Sequence, residues 1–126
     1  MAKLPEVVSE AWKNRKGAIV LTTVAADGVA NSIYATCVSK FDDETLVVAD
    51  NYFDKTRKNI LSGSEKGVIL FITEEDKAYQ VKGTLKYHTD GPVYDDMKKW
   101  NSDQHPGVAA LALKVEEVYK GAEKLL

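Results

Sequence analysis

Lys55, Thr56 and Arg57 stand directly after Asp54. There the run Val47-Val48-Ala49-Asp50-Asn51-Tyr52-Phe53 leaves an apolar, β-branched stretch, passes a short polar and aromatic turn, and reads as the start of a helix. Asp54 is of the type that caps such a start. The first amides of a helix have no partner within it and lie at the positive end of its dipole, so anions gather there. Lys55 and Arg57 would add charge to that volume and Thr56 a hydroxyl donor, with Asn59 one turn beyond Thr56. The chemistry these residue types suggest is the holding of a phosphate. The same residues also suit a solvated surface helix, because a Lys-Thr pair lacks the specificity of a glycine-rich phosphate loop.

No hydrolytic or metal-binding constellation is visible in the sequence. His88 and His105 have no partner at ligand spacing, and the carboxylates fall in turns or are scattered on helices. His88 reads as a surface strand residue, whereas His105, in the loop Asp103-Gln104-His105-Pro106-Gly107, is better placed to meet a ligand. Cys37 reads as a small core residue of a strand, with nothing nearby in sequence to lower its pKa. Tyr34, Tyr52, Phe53 and Trp100 could wall a flat heterocycle or simply fill a core.

The elements that must position these residues follow from the hydrophobic period. Leu4, Val7, Val8, Ala11 and Trp12 recur at helical spacing after Pro5, and Gly17 supplies a stop. The apolar run Ala18–Val24 is a strand, and the Asp27-Gly28 pair turns it into an antiparallel return from Ala30 to Lys40. Asp42-Asp43 turns again before Thr45-Leu46-Val47-Val48, giving a three-strand meander that feeds the helix start at Asp54. Val68–Ile72, apolar on both faces, must be central. Ala78–His88 alternates and has one wet face, with Gly83 as the place where a bulge or close backbone approach would cost least. Asp90-Gly91-Pro92 opens a helix with Val93, Met97 and Trp100 on one stripe, and Val108–Val115 is the closing strand. The expected fold is mainly β, a six-stranded antiparallel barrel, closed or nearly closed, with short flanking α-helices. An open sheet with helices on one side is the competing architecture.

The totals fit this. A chain of 126 residues with a formal charge of −2 and dispersed ionic residues is expected to form a single domain, residues 1–126, with no basic face for nucleic acid. The lone Cys37 forbids an internal disulfide, and Met1–Trp12 has no apolar segment long enough for a signal peptide or membrane span, so a cytoplasmic location is expected.

The order and spacing of several pieces carry a family resemblance. They are Asp27-Gly28, Asn31-Ser32-Ile33-Tyr34-Ala35-Thr36, Val47-Val48-Ala49-Asp50 running into Lys55-Thr56-Arg57-Lys58-Asn59, the Val68–Ile72 strand, and the long strand ending Thr84-Leu85-Lys86-Tyr87. From Gly17 to Val115 the chain resembles the pyridoxamine 5'-phosphate oxidase-like, FMN-binding split-barrel family, in particular its short members, the small FMN-binding proteins and flavin reductase-like domains of bacteria and archaea. The resemblance implies a homodimer with FMN in grooves at the subunit interface. It implies that Lys55 and Thr56, helped by Asn59, hold the phosphate. Ser32, Ile33, Tyr34, Ala35 and Thr36 would lie along the isoalloxazine ring, and Ala49, Asp50, Asn51 and Tyr52 would form the turn beneath the ribityl chain or ring. Trp100 and the loop Asp103–Pro106 are the candidates for contributions from the partner chain.

Arg15 and Arg57 are the only arginines, so the extra basic residues with which true pyridoxamine phosphate oxidases hold their substrate's phosphate are lacking, and the second strand has no arginine for the cofactor. The expected function is an FMN-binding flavoprotein, a small oxidoreductase or electron-transfer protein with a small-molecule or protein redox partner. The alternatives are a non-catalytic FMN- or haem-binding or sensing module of the same fold, and a dimeric scaffold with an empty groove.

Overall fold

The computed structural model describes residues 2–126. Its elements in order are α1 (Glu6–Lys13), β1 (Ile19–Val24), β2 (Ala30–Ala35), β3 (Val38–Asp42), β4 (Thr45–Asp50), α2 (Lys55–Leu61), β5 (Lys66–Ile72), β6 (Ala78–His88), α3 (Gly91–Trp100), β7 (Ala109–Lys120) and β8 (Glu123–Lys124). All strands join one antiparallel sheet in the order β2-β1-β5-β6-β7-β4-β3, with β8 paired to β7. β2 and β3 end that path on opposite edges, yet only Thr36 and Cys37 separate them in sequence. Two residues reach less than about 10 Å, so the sheet has to curl until its edges nearly meet. The result is a barrel split between β2 and β3.

That split corrects two sequence expectations. The stretch from Ala30 to Lys40 is two strands rather than one, and the three-strand meander is replaced by a chain that pairs once with β1 and then crosses the split to pair with β4. With the short β8 as well, eight strands stand where six were expected, and the closing strand runs on to Lys120. No glycine or proline marks the break at Thr36-Cys37, so it leaves no trace in composition.

Elsewhere pattern and structure agree. Gly28, at φ +88°, makes the turn between β1 and β2. β5 lies between β1 and β6, with Gly67, Ile69 and Phe71 buried inward. β6 alternates as expected, burying Tyr79, Val81, Gly83 and Leu85. Its register against β7 shifts between Lys82 and Gly83, and a Cβ at Gly83 would lie 2.0 Å from the carbonyl oxygen of Lys114. Only glycine fits that approach.

β4 is buried on both faces. Leu46 and Val48 enter the barrel core with Trp12, Ile69, Phe71 and Leu113, while Val47 and Ala49 face outward under Met97 of α3. Strand β4 is therefore fixed from two sides, and the turn after it starts from a rigid base. The outer face of β2-β1-β5 is different. Tyr34, Val20 and Leu70 follow one another across it in register, and Tyr34 is 80% and Leu70 40% exposed.

Candidate functional site

The split opens into a cleft of about 420 Å³. The period of β2 turns Asn31, Ile33 and Ala35 inward, and these form one wall, with Tyr34 at its edge. Thr36 and Cys37 at the seam and Ala49 from the end of β4 make the floor. The turn Asn51-Tyr52-Phe53-Asp54 and the first residues of α2, Lys55 and Thr56, close one end, and His105 stands at the rim. The wall is extended backbone with small or flat side chains, a surface suited to an aromatic ring system.

The α2 end is polar. Thr56 is 1% exposed, and its Oγ1 accepts a hydrogen bond from Asn31 Nδ2 at 3.0 Å. Among the described residues Lys55 has no ion-pair partner. Asp54 occupies the N-cap position but makes no side-chain bond to an α2 amide, and its carboxylate pairs instead with Lys58 at 3.5 Å. The capping role expected of it is therefore absent, and the first-turn amides of this seven-residue helix have no side-chain cap.

Arg57 does not join Lys55. Its Nε and one terminal nitrogen donate to Asp50 Oδ2 and Oδ1, both at 2.8 Å, and Tyr87 Oη and the Phe53 amide donate to the same carboxylate. The Asp50 side chain is completely buried. Burial pushes its carboxyl up, but the hydrogen bonds from Arg57, Tyr87 and Phe53, with the charge of Arg57, outweigh that and hold it below its usual 3.8. The bond to Asp50 raises the Arg57 guanidinium, and burial followed by Asp50 pushes the Tyr87 phenol up to about 12. A bidentate Arg–Asp pair with a phenol is a strong, directional cluster. It ties α2 to the turn and to β6, and it withdraws from the cleft the second positive charge that the spacing of Lys55 and Arg57 suggests.

A second polar knot holds the rim. Asn51 and Asn101 donate to each other through their side-chain amides, and the Gly107 amide donates to Asn51 Oδ1 at 3.0 Å. These bonds pin the loop after α3 against the end of β4. His105 on that loop meets Tyr52 edge to face, rings 5.6 Å apart, with Nδ1 3.1 Å from Tyr52 Oη.

Of the residues expected at a cofactor, the cleft gathers Ile33, Tyr34, Ala35, Thr36, Ala49, Asn51, Tyr52, Lys55 and Thr56. Four lie elsewhere. Ser32 points to the outer face, where its hydroxyl meets that of Thr22 at 2.8 Å. Asp50 is enclosed by Arg57 and Tyr87. Asn59 donates to Thr23 Oγ1 at 3.0 Å. Trp100 packs with α3 on the outside of β4, its indole donating to Asp96.

Sequence reasoning missed Asn31 and the part played by Tyr87. The inward phase of β2 was the available signal for Asn31, since it shares that phase with Ile33 and Ala35. His88, at the end of β6, is half-buried, and burial first, then Lys86 and Lys114, lowers its pKa.

A curled antiparallel split barrel whose cleft joins a polar helix start to a flat wall defines a class of protein, and comparison with known proteins agrees. The chain belongs to the pyridoxamine 5'-phosphate oxidase family, whose model matches residues 5–121. An uncharacterised protein of Methanocaldococcus jannaschii is 27% identical over 124 residues, spanning 94% of this chain and 81% of that protein. Among solved structures, HupZ of Group A Streptococcus superposes with a TM-score of 0.80 at 25% identity, covering 93% of each chain. An FMN-binding protein of Syntrophomonas wolfei superposes with a TM-score of 0.73 at 23% identity, covering 88% of this chain and 80% of that one. HutZ, a haem storage protein of Vibrio cholerae, does so with a TM-score of 0.69 at 17% identity, covering 94% and 95%. The last two likenesses are of fold.

Proposed function

We propose that the protein is an FMN-binding flavoprotein that works as a small oxidoreductase or electron-transfer protein. The observation that carries this reading is the pairing, in one cleft, of a buried Thr56 hydroxyl and a Lys55 without an ion-pair partner among the described residues at one end with the wall of Ile33, Ala35 and Ala49 at the other. The donor set fits a terminal phosphate: one cation, one hydroxyl and the uncapped amides of α2. The wall fits a planar ring, and Cys37 and Ala49 are small enough to let it approach.

When bound, FMN supplies hydride or electron transfer at its ring. Thr56 and Lys55 anchor the phosphate end, the backbone of β2 offers hydrogen-bonding groups along the ring edge, and Tyr52 with His105 shields the open side. The Asp50–Arg57–Tyr87 cluster keeps the turn and α2 in place and is not part of the cleft lining. With only Arg15, at half-buried depth beside Trp12, and Arg57, spent on Asp50, no arginine is left to recruit a second phosphate, which argues against pyridoxamine phosphate as substrate.

The exposed stripe Tyr34–Val20–Leu70 on the outer face suits a second copy of the chain. The loop 103–106, expected to reach a partner's cleft, instead sets His105 at the rim of its own chain's cleft against Tyr52, and Trp100 lies outside β4. Titration of the purified protein with FMN tests the reading: perturbed, saturable flavin absorption supports it, and unperturbed bands contradict it. A second reading, a non-catalytic haem-binding module, is favoured only by His105 at the rim. A Soret band on titration with haemin, with no response to FMN, would select it.

A further inference from the structure

Asn31 governs what Thr56 can do. Thr56 is buried in the cleft lining, and among the described residues its Oγ1 makes one hydrogen bond, accepted from Asn31 Nδ2 at 3.0 Å. That bond uses a lone pair of the hydroxyl and leaves its proton uncommitted. A buried hydroxyl proton without an acceptor is unfavourable, so the site favours a ligand that brings an oxygen to it. Lys55, on the same side of the cleft and without an ion-pair partner among the described residues, makes a charged oxygen the better choice.

We propose that Asn31 is a specificity-determining residue: by fixing Thr56 as a donor toward the cleft, it makes the site select a flavin bearing a terminal phosphate over the same flavin without one. The proposal rests on the flavin reading above. A second bond of the same type gives the comparison. Thr23 lies opposite Asn31 in the β1–β2 register, and its Oγ1 accepts from Asn59 Nδ2 at 3.0 Å, so α2 is stitched to the first hairpin by two amide-to-hydroxyl bonds. Asn31 and Thr56 line the cleft, whereas Thr23 and Asn59 do not. If Asn31 only fastened the helix, its loss would resemble the loss of Asn59.

The test is the ratio of FMN to riboflavin affinity, by fluorescence titration, in the wild type and in Asn31→Asp, Asn31→Ala and Asn59→Ala. The carboxylate that Asn31→Asp introduces has nothing to donate, so it takes the Thr56 proton for itself and sets a negative charge beside the phosphate. Asn31→Asp is expected to lower FMN affinity about tenfold or more while riboflavin affinity stays within about threefold, and Asn31→Ala to lower the ratio by a smaller factor. Asn59→Ala is expected to shift both ligands together. An unchanged ratio in Asn31→Asp and Asn31→Ala, whether both affinities fall in parallel or neither falls, overturns the proposal. Should Asn31→Asp fail to fold by circular dichroism, the ratio in Asn31→Ala decides alone. A wild type that binds neither flavin overturns the flavin reading before any variant is made, whereas one that binds both equally overturns this proposal and leaves flavin binding standing.

Discussion

Asn51 and Asn101, 50 positions apart, hold each other through both halves of their side-chain amides: Asn101 Nδ2 donates to Asn51 Oδ1 at 2.8 Å, and Asn51 Nδ2 to Asn101 Oδ1 at 3.2 Å. Both are buried, and Asn51 also receives the Gly107 amide. The end of β4, which makes the cleft floor, and the loop that carries His105 are thus one unit. Asn101→Ala leaves half of the Asn51 amide unpaired, and an unpaired buried polar group costs about 1–3 kcal/mol. The expected outcome in urea unfolding is a stability loss of that order, with faster amide exchange across residues 102–107. Unchanged exchange there would show that the loop is held by something else.

Asp50 gives stability a particular pH dependence. Its folded pKa lies below 3.8, so its contribution is complete above that value and is lost as pH falls through the depressed folded value. Tyr87, pushed up to about 12 from 10.0, contributes below pH 10 and loses that contribution as pH rises toward 12. Asp50→Asn is expected to cost about 1–3 kcal/mol at neutral pH, less than a fully enclosed pair because Arg57 is partly solvated. It should also flatten both the acid limb and the alkaline limb, since two of the causes that raise Tyr87 disappear and less of its contribution is left to lose. Thermal melting from pH 3 to 12 reads all three, and parallel curves for the two proteins would contradict the assignment.

Gly83→Ala would drive a methyl group into the Lys114 carbonyl, 2.0 Å away, in the paired heart of β6 and β7. Backbone has to move, and the expected cost is about 3 kcal/mol or more. A melting temperature within a few degrees of the wild type would mean that the bulge accommodates a side chain.

Leu70→Glu places a charge at one end of the Tyr34–Val20–Leu70 stripe without touching the barrel core. Light scattering after gel filtration is expected to give twice the chain mass for the wild type and the single-chain mass for the variant. A dimer that survives the substitution would put the interface on another face.

The legible and illegible parts of this chain divide by range. Asp27-Gly28, the β6 alternation, the Gly83 bulge and the helix start after Phe53 are written in neighbouring residues, and each was readable as such. The break at Thr36-Cys37 was not, because what ends β2 is the reach of β4 across the split rather than a turn residue. Arg57 was misassigned for the same reason: helix-start spacing points it at an anion, but Asp50 and Tyr87, brought together by the β4-β7-β6 order, offer a closer partner. The phase of β2 turns Asn31 inward with Ile33 and Ala35, but its bond to Thr56 shows only where the first hairpin and α2 lie side by side. Local pattern thus locates most of the cleft, and long-range pairing decides which polar groups remain free within it.

The most direct measurement is a parallel titration of the wild type and of Lys55→Ala/Thr56→Ala with FMN and with riboflavin. The account predicts that the wild type binds FMN at least about tenfold more tightly than riboflavin, and that the double variant loses that preference while keeping its riboflavin affinity within about threefold. Equal weakening of both flavins, or an FMN preference that outlasts the loss of both side chains, would contradict a phosphate held at the start of α2.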